Sequence, residues 1–377
     1  MNKRWWVCLG VIVSMHMAQA ATPINATERD QVIEKLPFIT KSRSAASDTA
    51  APNPQDAALG AREMITAARQ TGDTRYWGRA QAMLAPWWNK PDAPTDLMVL
   101  QATIQQGRHE FSEARSVLTR AVKLNPAQAQ GWLNLAALER LAGNYARALQ
   151  ACEAVARAGQ ALYAQACQLE TQSLQGKTNE ARVGLQTLIS AADNTATRAW
   201  LLSLMAESEE RAGKDDAALR AYQSSLKHES DLYTSIALSD LLLRTGKHKQ
   251  ALKVLAGLPE TDAVVLRQAT AKKRGGDASW VELRQTLRER QVELKRRGDK
   301  LELHGREEAL IALWLDEDFA KATTMAERNL DLQKEPIDWW VAIQSARAAS
   351  DMPALARLRG DIQRTGLVDA RIQGEKS

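Results

Sequence analysis

The stretch from Ala129 to Ala148 has the sequence AQGWLNLAALERLAGNYARA, which predicts two short helices joined by a turn. A large residue in the first helix precedes a small one, a glycine marks the turn, and an aromatic and then a small residue follow it. In that order these residues are Trp132, Ala136, Gly143, Tyr145 and Ala148. Small side chains let two helix backbones approach closely, because protein interiors are packed without spare volume. The stretch therefore predicts a tightly packed antiparallel helix pair.

The same pattern occurs 34 residues earlier, in a unit that begins at Thr95 and runs into the next without a gap. Its corresponding residues are Met98, Ala102, Phe111 and Ala114, and Pro126 ends its second helix. Proline suits that place because it cannot continue a helix. A period of 34 residues with these features is typical of the tetratricopeptide repeat (TPR). Residues 95–128 and 129–161 therefore resemble two consecutive TPR units.

Less regular helix pairs precede and follow these two units. A Gly-Lys turn recurs at Gly176, Gly213 and Gly246, and an alanine follows each within five residues. About nine such pairs bury one continuous core by stacking on each other. The sequence thus predicts an all-α, TPR-like right-handed superhelical solenoid over residues 55–377.

The last pair is expected to begin at Ile337. This register places Trp340 at position 4 of the unit, where a large core residue belongs, and Ala356 at position 20, where a small one belongs. We therefore expect Trp340 to pack in the core, like Trp132 at the same position of its own unit.

Three phrases carry a more specific resemblance. They are GDTRYWGRAQAMLAPWW (Gly72–Trp88), LQATIQQGRHEFSEA (Leu100–Ala114) and HGREEALIALWL (His304–Leu315). Together they resemble an exported bacterial TPR family of unknown function, over roughly Gln55 to Asp369. The resemblance implies the fold and the export, and it supplies no substrate or catalytic residue.

The N-terminus predicts export. Residues 1–20 combine a positive start, an apolar run and a small-x-small site at Ala18 to Ala20, which is typical of a Sec-type signal peptide cleaved after Ala20. Residues 21–54 are rich in Ala, Ser, Thr, Asp and Pro and predict a mostly disordered leader. We therefore expect a periplasmic protein that begins at Ala21.

The charge balance gives no indication of nucleic-acid binding. Loss of Lys3 and Arg4 with the signal peptide reduces the 50 basic residues to 48, against 45 acidic ones, so the mature chain is nearly neutral. No basic tract long enough to bind a nucleic acid is present. After the signal peptide, no apolar run approaches the roughly 18 residues that a transmembrane helix needs.

The sequence contains none of the usual local motifs of catalysis or metal binding. H-E-x-x-H, G-x-S-x-G, C-x-x-C and glycine-rich nucleotide motifs are all missing, and the histidines of the mature chain are isolated. We therefore expect no enzyme activity, no cofactor and no metal site.

Two cysteines remain after export, Cys152 and Cys167. The first falls in the second helix of one unit and the second in the first helix of the next, and such helices pack side by side. An oxidising compartment would let the two form a disulfide. Two separate buried thiols are the main alternative.

A ligand groove can be proposed from the register. The TPR resemblance implies that positions 2, 5, 9 and 12 of each first helix line the concave face. Positions 2 and 9 of three consecutive units form an aromatic row and an acidic row, namely Tyr163, Trp200, Tyr233 and Glu170, Glu207, Asp240. Such rows suit an extended peptide or an amphipathic helix. If Arg140, Arg211 and Arg244 neutralise the acids, the rows are only an ion-pair surface.

Two hypotheses of function follow. The first is an exported TPR scaffold in the cell envelope that binds a protein or peptide partner. The alternative is a glycan-acting envelope enzyme, or an accessory to one, with tryptophans as stacking platforms. A long open groove favours the first, and a convergent pocket with paired carboxylates and tryptophan favours the second.

Overall fold

A computed structural model describes residues 53–296 and 305–373. The signal peptide predicted at 1–20 lies outside the described residues, as does the leader predicted at 21–54 apart from its last two positions. The described residues belong to one compact unit. None of the helices in the described ranges is long and apolar enough to cross a membrane.

The described residues form α-helices that pack as consecutive antiparallel pairs, which confirms the predicted TPR-like solenoid. The nine pairs are α1 (Pro54–Thr71) with α2 (Arg75–Met83), α3 (Thr95–Gly107) with α4 (Phe111–Leu124), α5 (Ala129–Leu141) with α6 (Tyr145–Arg157), α7 (Ala161–Leu174) with α8 (Thr178–Ala191), α9 (Thr195–Arg211) with α10 (Asp215–His228), α11 (Leu232–Arg244) with α12 (His248–Leu255), α13 (Asp262–Arg274) with α14 (Trp280–Arg296), α15 (Gly305–Ile311) with α16 (Phe319–Leu332), and α17 (Pro336–Ala348) with α18 (Met352–Thr365). A π-helical turn, Ala312–Asp316, extends α15, and a short α19, Ala370–Gln373, follows the last pair.

Turn chemistry explains where the first helix of a pair ends. Gly143, between α5 and α6, has φ 77°, in the left-handed region that glycine adopts without strain. The next residue, Asn144, donates its backbone N–H to the carbonyl of Glu139 at 2.7 Å. This bond satisfies one of the carbonyls that a helix end leaves without a partner.

Side-chain caps fix the start of three helices that matter for the site. Asn194, Asp231 and Thr261 precede α9, α11 and α13, and each accepts a hydrogen bond from the backbone N–H three residues later, at 2.8, 2.9 and 3.2 Å. Such caps satisfy N–H groups that the first helical turn cannot bond.

The small residues of the repeat lie where the register predicts. Ala136 of α5 and Ala148 of α6 are both fully buried, as are Ala102 and Ala114 in the preceding pair. The two helices of a pair can approach closely because neither residue carries more than a methyl group.

The predicted register of the last pair is wrong. Trp339 and Ala354 are buried, whereas Trp340 is half-buried and Ala356 is exposed. Two adjacent tryptophans give the same large-residue signal, so the pattern could not separate them. The turn also lacks a glycine that would mark the register in the sequence. Ser350 takes the left-handed conformation there, with φ 55°.

The C-terminal part of the array folds back onto its middle. The backbone N–H of Lys334 donates to the carbonyl of Leu141 at 2.7 Å, and that of Val368 donates to Leu174 at 2.9 Å. These carbonyls belong to the last residues of α5 and α7, which lack partners within their own helices. Residues from the C-terminal pairs therefore cap the ends of earlier helices.

Candidate functional site

A cavity of about 1200 Å³ lies along the first helices of the later pairs, from α9 to α17. Ala370 and Arg371 of α19 contribute to its wall. Its lining combines aromatic, aliphatic and charged side chains. The cavity is therefore a concave surface of mixed chemistry, formed mainly by the first helices of these pairs.

Half of the predicted groove residues line this cavity, namely Glu207, Tyr233 and Asp240. Tyr233 is 62% exposed there. Tyr163 and Trp200 lie on α7 and α9, half-buried, with ring centroids 5.6 Å apart. These two rings contact each other at a tilt of 34° and do not belong to the lining of the cavity.

The predicted acidic row already has cationic partners. Glu170 pairs with Arg140 at 2.8 Å, as the sequence allowed. Glu207 lies 3.7 Å from Arg211.

Asp240 pairs instead with Arg267, which donates to both carboxylate oxygens at 2.8 and 2.7 Å. Arg244, the partner considered from the sequence, donates to Glu210 and Asp215. The acidic row therefore does not by itself require a cationic ligand.

Glu207 is the acid of the row with the most perturbed protonation. Burial raises its pKa to about 7, and the charges of Glu170 and Glu335 add to this, against the opposing effects of Arg211 and of a hydrogen bond from Tyr233. The Tyr233 hydroxyl donates that bond to Glu207 Oε1 at 2.7 Å. Near neutral pH the carboxyl group can therefore be either protonated or ionised.

An aromatic cluster also lines the cavity. The rings of Trp314 and Trp340 meet edge to face, with centroids 6.3 Å apart. The guanidinium of Arg274 lies over the Trp314 ring, 5.3 Å from its centroid. Sequence reasoning missed this cluster because it assigned Trp340 to the core, and because no periodic pattern predicts the π-helical turn that carries Trp314.

Cys152 and Cys167 form a disulfide in the structure, with Cα atoms 5.6 Å apart. Both residues are buried and pack with Ala136, Ala151 and the partly buried Trp132. The bond joins α6 to α7, away from the cavity.

No group of three or more His, Cys, Asp or Glu side chains within residues 53–296 and 305–373 is arranged to hold a metal ion. The cavity therefore presents its chemistry as aromatic rings, hydrogen-bond donors and ion-paired side chains.

The helix pairs and their small contact residues define the class of fold: the described residues form an array of tetratricopeptide-like helical repeats. The family model described as "Tetratricopeptide repeat" matches residues 99–162, across parts of the two units seen most clearly in the sequence. This fold is typical of non-catalytic scaffolds for protein–protein interaction.

Several solved structures are similar in fold. A thermophilic TPR protein of Thermus thermophilus is 18% identical over 51% of this chain and 100% of its own, with a TM-score of 0.40. Human IFIT1, in a dimer with m7Gppp-AAAA, is 13% identical over 83% of this chain and 72% of its own, with a TM-score of 0.51. A Rap protein complexed with competence and sporulation factor is 10% identical over 83% and 87%, with a TM-score of 0.49.

At these identities the similarity shows the helical-repeat fold alone. A comparison with curated proteins gave no match.

Proposed function

We propose that this chain is an exported scaffold that binds a peptide segment of a protein partner in the cavity between α9 and α17. The observation that carries the proposal is the exposed Tyr233 ring in a cavity of about 1200 Å³. Small-molecule sites usually occupy about 300–1000 Å³, so this cavity suits a larger ligand such as a peptide.

The mixture of side chains in the cavity also favours a peptide. Ile236 and Ile337 provide aliphatic surface, while Tyr233 and Trp340 provide rings that can contact side chains. Aromatic residues in partly enclosed pockets contribute a large share of the binding energy in many protein interfaces. Such a surface can hold a short segment without a covalent or catalytic step.

We propose the periplasm as the compartment of this binding. Residues 1–20 have the composition of a cleavable signal peptide, and the Cys152–Cys167 disulfide suits an oxidising compartment. N-terminal sequencing of the protein from a periplasmic fraction is expected to begin at Ala21. Recovery of the intact Met1 from the cytoplasm would contradict export.

One observation supports the glycan-acting alternative. Glu207 has a pKa near 7 in a cavity that also contains Trp314 and Trp340, and a carboxyl group of that kind can act as a general acid. The neighbouring carboxylates Asp240 and Glu210 are held by arginines, so neither is available as a second free carboxylate. Release of reducing sugar from envelope glycan that is lost in Glu207→Gln would favour the alternative over the scaffold.

Photocrosslinking tests the scaffold directly. A photoreactive phenylalanine analogue placed at Tyr233 is expected to crosslink a protein partner in intact cells. The same analogue at Val183, which is 69% exposed on α8 and outside the cavity, serves as the control.

Crosslinks from position 233 should weaken when Trp340→Ala is added. Equal products from positions 233 and 183 would show that the cavity is not the binding site.

A further inference from the structure

Most charged side chains that line the cavity neutralise one another. Glu210 is bound by both Arg244 and Arg371, at 3.1 and 2.9 Å. Asp240 is bound by Arg267. The remaining pairs of the lining that lie within ion-pair distance are Glu207 with Arg211, Asp215 with Arg244, Glu317 with Lys273, and Glu335 with Arg306. Glu307 follows Arg306 directly and favours its charged form.

Arg274 differs from the other cations of the lining. No carboxylate of the described residues lies within 4.0 Å of its guanidinium. Its Nη1 donates to the carbonyl of Leu243 at 3.1 Å, and it also contacts the face of Trp314. The side chain is nevertheless exposed within the cavity. A charge-assisted hydrogen-bonding group is thus left available to a ligand.

The pKa shifts of the arginines show the same contrast. Burial lowers the pKa of Arg274, with only a minor opposing effect from Asp240. For Arg371 burial also opposes the charge, but Glu210 and Asp369 more than offset it and raise the pKa. Arginine stays cationic at neutral pH in both cases, but Asp240 offsets the desolvation of Arg274 less fully than Glu210 and Asp369 offset that of Arg371.

The surroundings of Arg274 also favour an anion that belongs to a larger ligand. The guanidinium of Arg274 makes a cation–π contact with the Trp314 ring, so a cationic donor and an aromatic surface lie side by side. Gln344, one helical turn after Trp340 on α17, lines the same cavity, and its Nε2 has no hydrogen-bond partner in the described structure. Donors and ring surface therefore occur together.

We propose that Arg274 binds the carboxylate of an Asp or Glu side chain in an acidic peptide, while Trp340 contacts an adjacent apolar side chain of that peptide. Carboxylates match the fork of N–H groups on arginine and form its strongest hydrogen bonds. This inference rests on the proposed function, because it names the chemical class of the peptide that the cavity takes.

Three synthetic peptide pools test the inference. All are decapeptides with the same mixture of Leu and Trp at alternate positions, acetylated and amidated at their ends, and carrying the same rhodamine label. The intervening positions are all Glu, all Gln or all Lys. Fluorescence anisotropy with the disulfide-bonded mature chain is expected to give a Kd for the Glu pool at least about tenfold lower than for the Gln pool, with the Lys pool weakest.

Substitutions at Arg274 show whether this residue causes the preference for the Glu pool over the Gln pool. Arg274→Gln should remove the preference for Glu over Gln, whereas Arg274→Lys should keep part of it because the charge remains without the planar fork. Arg147→Gln, at an exposed arginine on α6, is the matched control and should leave both Kd values unchanged. Circular dichroism must show that each variant is folded.

The results separate this inference from the proposed function. Equal binding of the Glu and Gln pools, or a preference that survives in Arg274→Gln, overturns the inference. If the Gln or Lys pool binds most tightly and Tyr233→Ala weakens it, the cavity still binds peptides, but not acidic ones. If no pool binds and position 233 captures no partner in cells, both the inference and the proposed function fail.

Discussion

The hydroxyl of Tyr233 on α11 donates a hydrogen bond to Glu207 on α9, over a distance of 2.7 Å. The tyrosine is exposed, whereas the carboxyl group it contacts lies deeper, with 20% of its side chain exposed. The hydrogen bond therefore joins an exposed ring of the cavity lining, Tyr233, to a carboxyl group with a pKa of about 7, Glu207.

The free energy of unfolding should depend on pH through Glu207. Its pKa in the folded state, about 7, lies above the ordinary value of 4.5, so the folded chain binds the proton more tightly than the unfolded chain. The contribution of Glu207 to the free energy of unfolding is therefore complete below about pH 4.5, and it is lost as the pH rises through about 7.

Glu207→Gln should remove this pH-dependent loss. Its free energy of unfolding should exceed that of wild type by on the order of 1–3 kcal/mol between about pH 5 and pH 8. Urea unfolding at several pH values measures the difference. Glu153→Gln, at an exposed glutamate, should show no such trend. A constant difference between Glu207→Gln and wild type would contradict the assignment.

Enlarging the small contact residues should destabilise the array. Ala136→Leu and Ala148→Leu each place three more carbon atoms between helices that already touch, and overpacking of this kind typically costs about 1–3 kcal/mol. Chemical denaturation followed by circular dichroism measures the effect. Ala146→Leu, on the exposed side of α6, is the control. Unfolding midpoints that matched wild type in both core variants would show that the register is wrong.

The ion pairs of Arg371 should stabilise the fold much more than exposed ion pairs do. Arg371 is 11% exposed and contacts Glu210 and Asp369, whose side chains are almost completely buried. Arg371→Gln leaves buried carboxylates with fewer partners, and breaking a buried pair costs about 3–5 kcal/mol.

Arg364→Gln removes an exposed pair with Asp361, and such pairs contribute about 0–1 kcal/mol. Urea unfolding of both variants at neutral pH provides the comparison. Equal losses in the two variants would mean that the C-terminal contacts contribute little.

The disulfide should contribute to the stability of the fold. Cys152 and Cys167 are 15 residues apart, and closing a loop of that length stabilises a fold by about 3 kcal/mol in the chain-entropy model. Cys152→Ser with Cys167→Ser should lower the free energy of unfolding by a similar amount. Mass spectrometry of unreduced peptides from the protein isolated from cells tests the bond itself. Free thiols there would contradict its formation in cells.

The fold could be predicted because its determinants are local. Ala136 and Ala148 follow the repeat spacing, and glycine at position 143 fixes the turn between their helices. Each of these features depends on residues less than one repeat away. Where local features were ambiguous, as at Trp339 and Trp340, the predicted register failed.

The candidate site depends on distances that accumulate over several repeats. Asp240 bonds to Arg267 of the next pair rather than to Arg244 on its own helix, and no spacing rule separates these two partners. The position of Trp314 beside Arg274 depends on the π-helical turn that follows α15. Side-chain orientation and small changes in helix path therefore set the chemistry of the cavity.

The contact between Val368 and Leu174 makes the number of repeats part of the architecture. An open array can lose or gain an internal unit and still keep every neighbour in place, since each unit contacts only the next. In this chain, deletion of one unit between α8 and α18 would move Val368 away from the carbonyl of Leu174 and Arg371 away from Glu210. We therefore expect evolutionary changes in length to occur outside this closed segment, and forced unfolding from the C-terminus to release several repeats together.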